Sequence, residues 1–305
     1  MDLIVNLYDR IYKRIGSTVY YRYPQWRRLM PDKMYLQCIW RDTMGYELDF
    51  RHPRTYNEKL QWLKIYNRKP VYTKMVDKAT AKEYVASIIG EKYIIPTLGI
   101  YNNFDEIDFD KLPNQFVLKS THDSGGVYIC KDKSKLDKEK ARSMTEGRFW
   151  VNVYNNFREW PYKNVKPRII AEAYMEDTKT NELRDYKFFC FDGEVKALFI
   201  ASDRQQEGEE TKFDFFDENF NHLDFRNGHP NATHQIEKPV TFELMKRLAE
   251  KLSKNIPHIR VDFYEVNGQV YFGELTFSHW SGLVPFEPKE WDYKFGSYIK
   301  LPTDK

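Results

Sequence analysis

The chain has 305 residues, 48 Lys and Arg against 45 Asp and Glu for a net charge of +3, and 16% aromatic side chains. That aromatic content excludes a disordered chain, the length exceeds one minimal domain, and the near-neutral balance excludes nucleic-acid binding through bulk counterion release. Cys38, Cys130 and Cys190 lie far apart with no CxxC spacing, so neither a disulfide framework nor a thiolate zinc site is expected, and a reducing cytoplasm fits.

The opening MDLIVNLYDRIYKR carries Asp2 and Asp9, unlike a signal peptide, and no stretch approaches the roughly 18 apolar residues of a membrane span. Residues 1 to about 70 read as helical and basic: Leu3, Ile4, Leu7, Tyr8 and Ile11 recur at helical spacing, and Tyr56 to Tyr66 repeats the pattern. Between them Arg10, Lys13, Arg14, Arg22, Arg27 and Arg28 form a positive cluster. It is either a solvated helix face or a surface for anionic lipid or glycan, which makes peripheral attachment to the inner membrane face an expectation.

Beyond residue 70 helices alternate with β-rich runs. A helix is expected from Asp77 to Ile89 with Gly90 as its stop, then a strand in YIIPTLGIY (93 to 101), a second in FVLKSTH (116 to 122), the glycine turn Ser124-Gly125-Gly126, and VYICKDK. A helix of about 20 residues should follow from Leu136, and RIIAEAYM (168 to 175) reads as a strand. The run 185 to 204 predicts a hairpin turning at Asp192-Gly193, residues 241 to 254 a helix, and 258 to 277 a hairpin turning at Asn267-Gly268. Antiparallel hairpins among helices imply an α+β fold.

Asp123-Ser124-Gly125-Gly126 echoes the nucleophile segment of trypsin-like proteases without that family's disulfides or upstream partners, and SYIK (297 to 300) matches only the SxxK spacing. A more coherent set begins with Lys119 inside the apolar strand FVLKS. The glycine turn after it can present N–H groups to a triphosphate, although a plain hairpin whose lysine emerges at an edge reads equally well. Asp262 and Glu274 add two hard carboxylates of the kind that hold Mg²⁺ against ATP phosphates. A two-residue turn would set Glu274 opposite Val261, facing away from Asp262; a three-residue loop would set it opposite Arg260, on the same face, with Thr276 beside it.

In this order the segments YNEKLQWLKIYNRKP, VDK (76 to 78), DFDKLPNQFVLKSTHDSGG, AEAYMED, DYKFFCFDGE, VDFYEVNGQVYFGELTF and FEPKEWDYKFGSYIKLP resemble the ATP-grasp superfamily, in its branch related to teichuronopeptide biosynthesis. The resemblance implies an α+β ATP-grasp fold: a helical region 1–70, a first subdomain 71–174 with a glycine lid, and a C-terminal subdomain 175–305 with the metal site. It implies ATP and Mg²⁺. Lys78, Lys119 and Lys187 would contact the nucleotide, Ser124 to Gly126 would form the lid, and Glu172 with the backbone of Ala173 and Met175 would read adenine. Asp262, Glu274 and Thr276 would ligate metal, although the superfamily usually has Asn where Thr276 stands; Lys82 stands where the branch commonly has arginine.

The activity implied is an ATP-dependent carboxylate–amine ligation through an acylphosphate, on a uronic-acid-type glycan and an amino acid or amine of cell-surface polysaccharide biosynthesis. Arg204, Arg260 and His279 are the expected catalytic side chains beside Lys119, with His279 taking a proton from the attacking ammonium and Trp280 stacking on a sugar. A glycan kinase at the same nucleotide site and a non-catalytic glycan or lipid-carrier binding protein are the alternatives.

Overall fold

The computed structural model describes residues 2–178, 183–202 and 210–302, with side chains from residue 11 onward. Helices α1 (Asp2–Arg22), α2 (Asp32–Met44), α3 (Tyr56–Tyr66), α4 (Val71–Val76) and α5 (Thr80–Ile89) precede the first strand. A sheet of four antiparallel strands follows, β1 (Thr97–Tyr101), β2 (Phe116–Ser120), β3 (Val127–Cys130) and β4 (Ile169–Ala173), in the order β1-β4-β2-β3. Between β3 and β4 lie α6 (Lys138–Met144) and α7 (Val153–Phe157).

The second sheet contains β5 (Asp185–Phe191), β6 (Glu194–Ser202), β7 (Lys212–Asp217), β8 (His222–Leu223), β9 (Ile259–Val266) and β10 (Gln269–Thr276). Its order is β10-β9-β5-β6-β7-β8, all antiparallel, with α8 (Phe242–Ser253) before β9 and α9 (Glu290–Tyr298) after β10. All seven residues of β5 are buried, because both faces of this sheet are covered. On one face α4, α5 and α8 pack Met75, Val85 and Met245 against Phe188 and Val261; on the other α2, α3 and α9 pack Trp40, Tyr56 and Phe295 against Phe189 and Phe199.

The basic N-terminal helices are therefore one wall of the main core. Helix α3 carries a reciprocal cap, with Thr55 Oγ1 accepting from the Glu58 amide at 3.2 Å and Glu58 Oε2 from the Thr55 amide at 3.0 Å. Its Asn57 amide donates to Asp292 at 2.9 Å, and Lys59 Nζ donates to the Gly296 and Ile299 carbonyls at the end of α9, both at 2.8 Å. A Cβ on Gly296 would lie 2.4 Å from the Arg54 carbonyl, so only glycine admits this approach.

Local differences from the sequence reading have identifiable causes. The long helix expected from Leu136 closes at Met144, where Thr145 leaves helical angles, and a 3-10 turn follows over Glu146–Arg148. The strand expected over 93 to 101 is confined to Thr97–Tyr101. Both hairpins turn where expected, Asp192-Gly193 and Asn267-Gly268 having positive φ throughout, which a two-residue turn of the primed type requires.

Candidate active site

The β9–β10 hairpin begins in the register of a two-residue turn and leaves it midway. Val266 pairs with Gln269 across a two-residue turn, yet a bulge at Gly273 advances β10 by one residue and sets Glu274 opposite Asp262 and Thr276 opposite Arg260. Directly opposed residues share a face, so Arg260, Asp262, Glu274 and Thr276 converge. A Cβ on Gly273 would meet the Asp262 carbonyl and the Tyr264 ring, both at 3.1 Å, which explains a glycine within the strand. Lys187 on β5 pairs with Asp262 and joins the same face.

Arg260 is the hub of this cluster. Its Nε donates to Asp262 Oδ1 at 2.7 Å, and its Nη2 lies 2.7 Å from Asp262 Oδ2, 2.9 Å from Glu274 Oε1 and 3.1 Å from Thr276 Oγ1. Lys187 Nζ reaches Asp262 Oδ2 at 2.5 Å and Asp185 at 3.2 Å. Asp262 is wholly buried with both oxygens engaged, whereas the Glu274 side chain is about one-third exposed. Burial pushes the Glu274 carboxyl up, but Lys187, Arg260 and Lys78 outweigh it and hold the group at about 2.

The donors fit magnesium by type. Among the described residues no cluster of three or more His, Cys, Asp and Glu side chains could hold a metal unaided. Asp262, Glu274 and the Thr276 hydroxyl are hard oxygens of the type Mg²⁺ takes together with phosphate and water, and here Arg260 and Lys187 hold the Asp262 oxygens.

His279 sits behind Arg260. Its ring is buried, with Nδ1 2.8 Å from Arg260 Nη1 and Nε2 2.9 Å from Asn227 Oδ1. Burial, and then the charge of Arg260, push its pKa well below the ordinary histidine value. Both nitrogens are engaged, so these contacts fit a support for Arg260 rather than the proton acceptor expected from sequence. Arg204 lies outside the described residues.

Lys78 approaches from the segment between α4 and α5, which is pinned to the small sheet. The Lys78 amide donates to the Thr121 carbonyl at 3.1 Å, and Asp77 Oδ2 accepts from Arg168 at 2.6 Å. Lys78 Nζ donates to the Asp123 carbonyl at the foot of the glycine turn. Asp123 also ties that turn down, accepting from the Ser120 hydroxyl, from the Gly126 amide at 3.3 Å and from Arg148 Nε at 2.5 Å. The Ser124 and Gly125 amides have no acceptor among the described residues. A Cβ on Gly126 would fall 1.8 Å from Ser120 Oγ.

Glu172 is held between two lysines. On β4 it pairs with Val117, and both carboxylate oxygens are held by cations, one by Lys82 and the other by Lys119 at 2.6 Å. Burial raises this carboxyl, and Lys119 and Lys82 more than reverse the effect, leaving it at about 2. The Ala173 amide donates to the Pro96 carbonyl at 3.0 Å and is therefore not open to an adenine ring. Met175 follows β4 in the half-buried segment beyond the strand.

A second polar group was missed in the sequence. After β10 the chain turns left-handed at Trp280 (φ 49°), Ser281 (φ 55°) and Gly282 (φ 61°), a conformation costly for the first two. Gln61 Nε2 donates to the Ser281 and Gly282 carbonyls at 3.0 and 2.9 Å, Lys64 Nζ donates to the Ser281 carbonyl at 2.7 Å, and the Ser281 hydroxyl donates to Glu159 at 2.5 Å. The signal available was the polar stripe Asn57, Gln61 and Lys64, recurring at steps of four and three on α3.

Two antiparallel sheets, with a lysine-bearing segment pinned to the small one, a glycine turn after β2 and a carboxylate hairpin at the edge of the large one, have the arrangement of the ATP-grasp class of ATP-dependent ligases. The profile of the TupA-like ATPgrasp family matches residues 58–300, and the chain belongs to that family. No curated protein sequence matches it. Among solved structures it is similar to D-alanine–D-alanine ligase from Helicobacter pylori, with a TM-score of 0.41 and 14% identity over 80% of this chain and 69% of that one. The D-cycloserine synthetase DcsG gives a TM-score of 0.42 with 12% identity over 75% and 70%. The chain spans 62% of the ATP-grasp ligase PsnB, at a TM-score of 0.41 and 8% identity over 73% of its own length.

Proposed function

We propose that the protein joins a carboxylate to an amine with ATP as the activating reagent, and that the acid is a uronic-acid-type unit of a cell-surface polysaccharide precursor in the cytoplasm. The observation that carries the ligase reading is the convergence of Arg260, Asp262, Glu274, Thr276 and Lys187 on one sheet face. Phosphoryl transfer needs positioned charge more than nucleophilic side chains, and this face supplies it.

In this reading Lys78, Lys119 and Lys187 bind phosphate oxygens, and the free Ser124 and Gly125 amides close over them. Magnesium, when bound by Asp262, Glu274 and Thr276, neutralises phosphate charge. The carboxylate oxygen attacks the γ-phosphorus, ADP leaves, and Arg260 steadies the acylphosphate. The amine nitrogen then bonds to the carbonyl carbon, the carbon–oxygen bond to phosphate breaks, and the ammonium proton passes to solvent. Glu172, released from Lys119 as that lysine turns to phosphate, becomes an acceptor for the adenine amino group.

The glycan part rests on Trp280. Its side chain stays 41% exposed beside the buried His279, held by Phe213 at 6.1 Å and 25° and by Gly228, where a Cβ would lie 2.9 Å from the indole nitrogen. A fixed, half-open indole next to the reacting centre suits a sugar face. The test is ADP release with Mg-ATP across uronic acids paired with amino acids and small amines, followed by mass spectrometry. Amide product supports the reading; a phosphorylated sugar without amide would make the protein a kinase, and no ADP with any pair would remove the assignment.

A further inference from the structure

Helix α1 and the 3-10 turn after it, Pro24–Leu29, leave a stripe of mixed apolar and cationic character uncovered. Ile11, Arg14, Ile15, Thr18 and Arg22 recur at steps of three and four, so they share one face of α1, and all are exposed. The turn that follows adds exposed apolar side chains of its own, Trp26 at 53% and Leu29 at 71% exposed, while its Arg27 packs back on Tyr20. The opposite side of α1 faces the core, where Tyr20 is buried and Gly16 would admit no Cβ against Met34.

The structure divides the six cations expected here. Lys13 pairs with Glu47 at 2.9 Å, and Arg27 donates to the Tyr20 carbonyl at 2.7 Å while lying over the Tyr20 ring. The side chain of Arg10 lies outside the described residues. Arg14, Arg22 and Arg28 remain, and among the described residues none of them is bonded to an acid. Unpaired guanidinium groups near exposed isoleucine, tryptophan and leucine match an anionic bilayer, which offers phosphates above and acyl chains below. A second copy placed symmetrically on this stripe would set arginines against arginines. No described helix is long and apolar enough to cross a membrane, so the contact is interfacial.

We propose that this stripe seats the protein on an anionic lipid surface, with Trp26 and Leu29 entering the headgroup boundary and Arg14, Arg22 and Arg28 pairing with lipid phosphates. The proposal is independent of the reaction catalysed. Its test is sedimentation of the full chain with phosphatidylglycerol–phosphatidylcholine vesicles and with phosphatidylcholine alone, at low and high salt. Binding to the anionic vesicles alone is expected at low salt. Replacing Arg14, Arg22 and Arg28 together by Gln should lower that affinity by roughly a hundredfold. Trp26→Ser with Leu29→Ser should lower it about tenfold while keeping its salt dependence. All these positions are exposed, and circular dichroism melts of each variant check the fold. Equal binding to neutral vesicles, no binding at all, or affinity unchanged in the arginine variant overturns the proposal, as does a dimer in ultracentrifugation that Trp26→Ser dissolves.

Discussion

Arg260 and His279 form a hydrogen bond in which the guanidinium Nη1 donates to the imidazole Nδ1 at 2.8 Å. A guanidinium cannot accept, so Nδ1 carries no hydrogen, and the Nε2 hydrogen is the one given to Asn227 Oδ1. Burial, reinforced by the charge of Arg260, keeps the ring neutral far below its usual pKa. The histidine thus fixes the direction of an arginine that reaches two carboxylates and a hydroxyl.

His279→Gln should therefore act through position. We expect kcat to fall by about tenfold to a hundredfold, the effect of a sub-ångström shift in an aligning group, with nucleotide affinity unchanged. The pH profile of kcat should keep its shape. Loss of an acid limb in the variant would show that the histidine titrates during turnover.

Glu274→Gln keeps an acceptor for Arg260 and removes one negative charge from the proposed metal ligands. Mg-dependent ADP formation should fall by roughly a hundredfold or more, while the fold survives with a lowered melting temperature because Lys187, Arg260 and Lys78 lose a carboxylate partner. Titrating magnesium in the ADP assay checks this, because a weakened metal site shifts the curve to higher concentrations.

The reach of the sequence is clear in this hairpin. Asn267-Gly268 specifies a two-residue turn, and the turn forms. Counting from it alone sends Glu274 to the wrong face; the Gly273 bulge restores the shared face, and a glycine in a strand does not by itself announce a bulge. Lys119 and Glu172 were identifiable by their motifs. That Lys82 would join them depends on how α5 meets β4, a tertiary fact with no local signal. His279 lies three residues beyond the end of β10, yet the left-handed residues after it carry the chain back over α3 and bury the ring.

The Glu172 pair of lysines makes stability depend on acid. The folded carboxyl titrates at about 2 against an ordinary 4.5. A depressed folded value stabilises above the unfolded value and loses that contribution as pH falls through the folded one. The contribution is about 3 kcal/mol at neutral pH and should disappear between about pH 5 and pH 2. Urea denaturation across that window checks it, and Glu172→Gln should flatten the dependence. Lys119→Ala should also weaken ATP binding by roughly 1.5 to 3 kcal/mol in calorimetry, since a charged donor to phosphate is lost.

The clamp on the left-handed turn yields the remaining prediction. Burial lowers the Lys64 ammonium to about 8 while Glu159 pulls it up; burial raises Glu159 while Lys64 pulls it down. The two charges share one pocket, and Lys64→Met leaves Glu159 without its cation. That should destabilise the fold by roughly 3 kcal/mol, the cost of an uncompensated buried charge. Adding Glu159→Gln removes the stranded charge and should recover most of the stability. Function should not recover with it, because the Ser281 carbonyl has lost its ammonium donor and, at that carbonyl, only Gln61 remains. KM for the acid or the amine should then stay raised in the double variant while KM for ATP does not. Denaturation midpoints and steady-state kinetics on the same preparations separate these effects; full recovery of both would show that Lys64 and Glu159 serve stability alone.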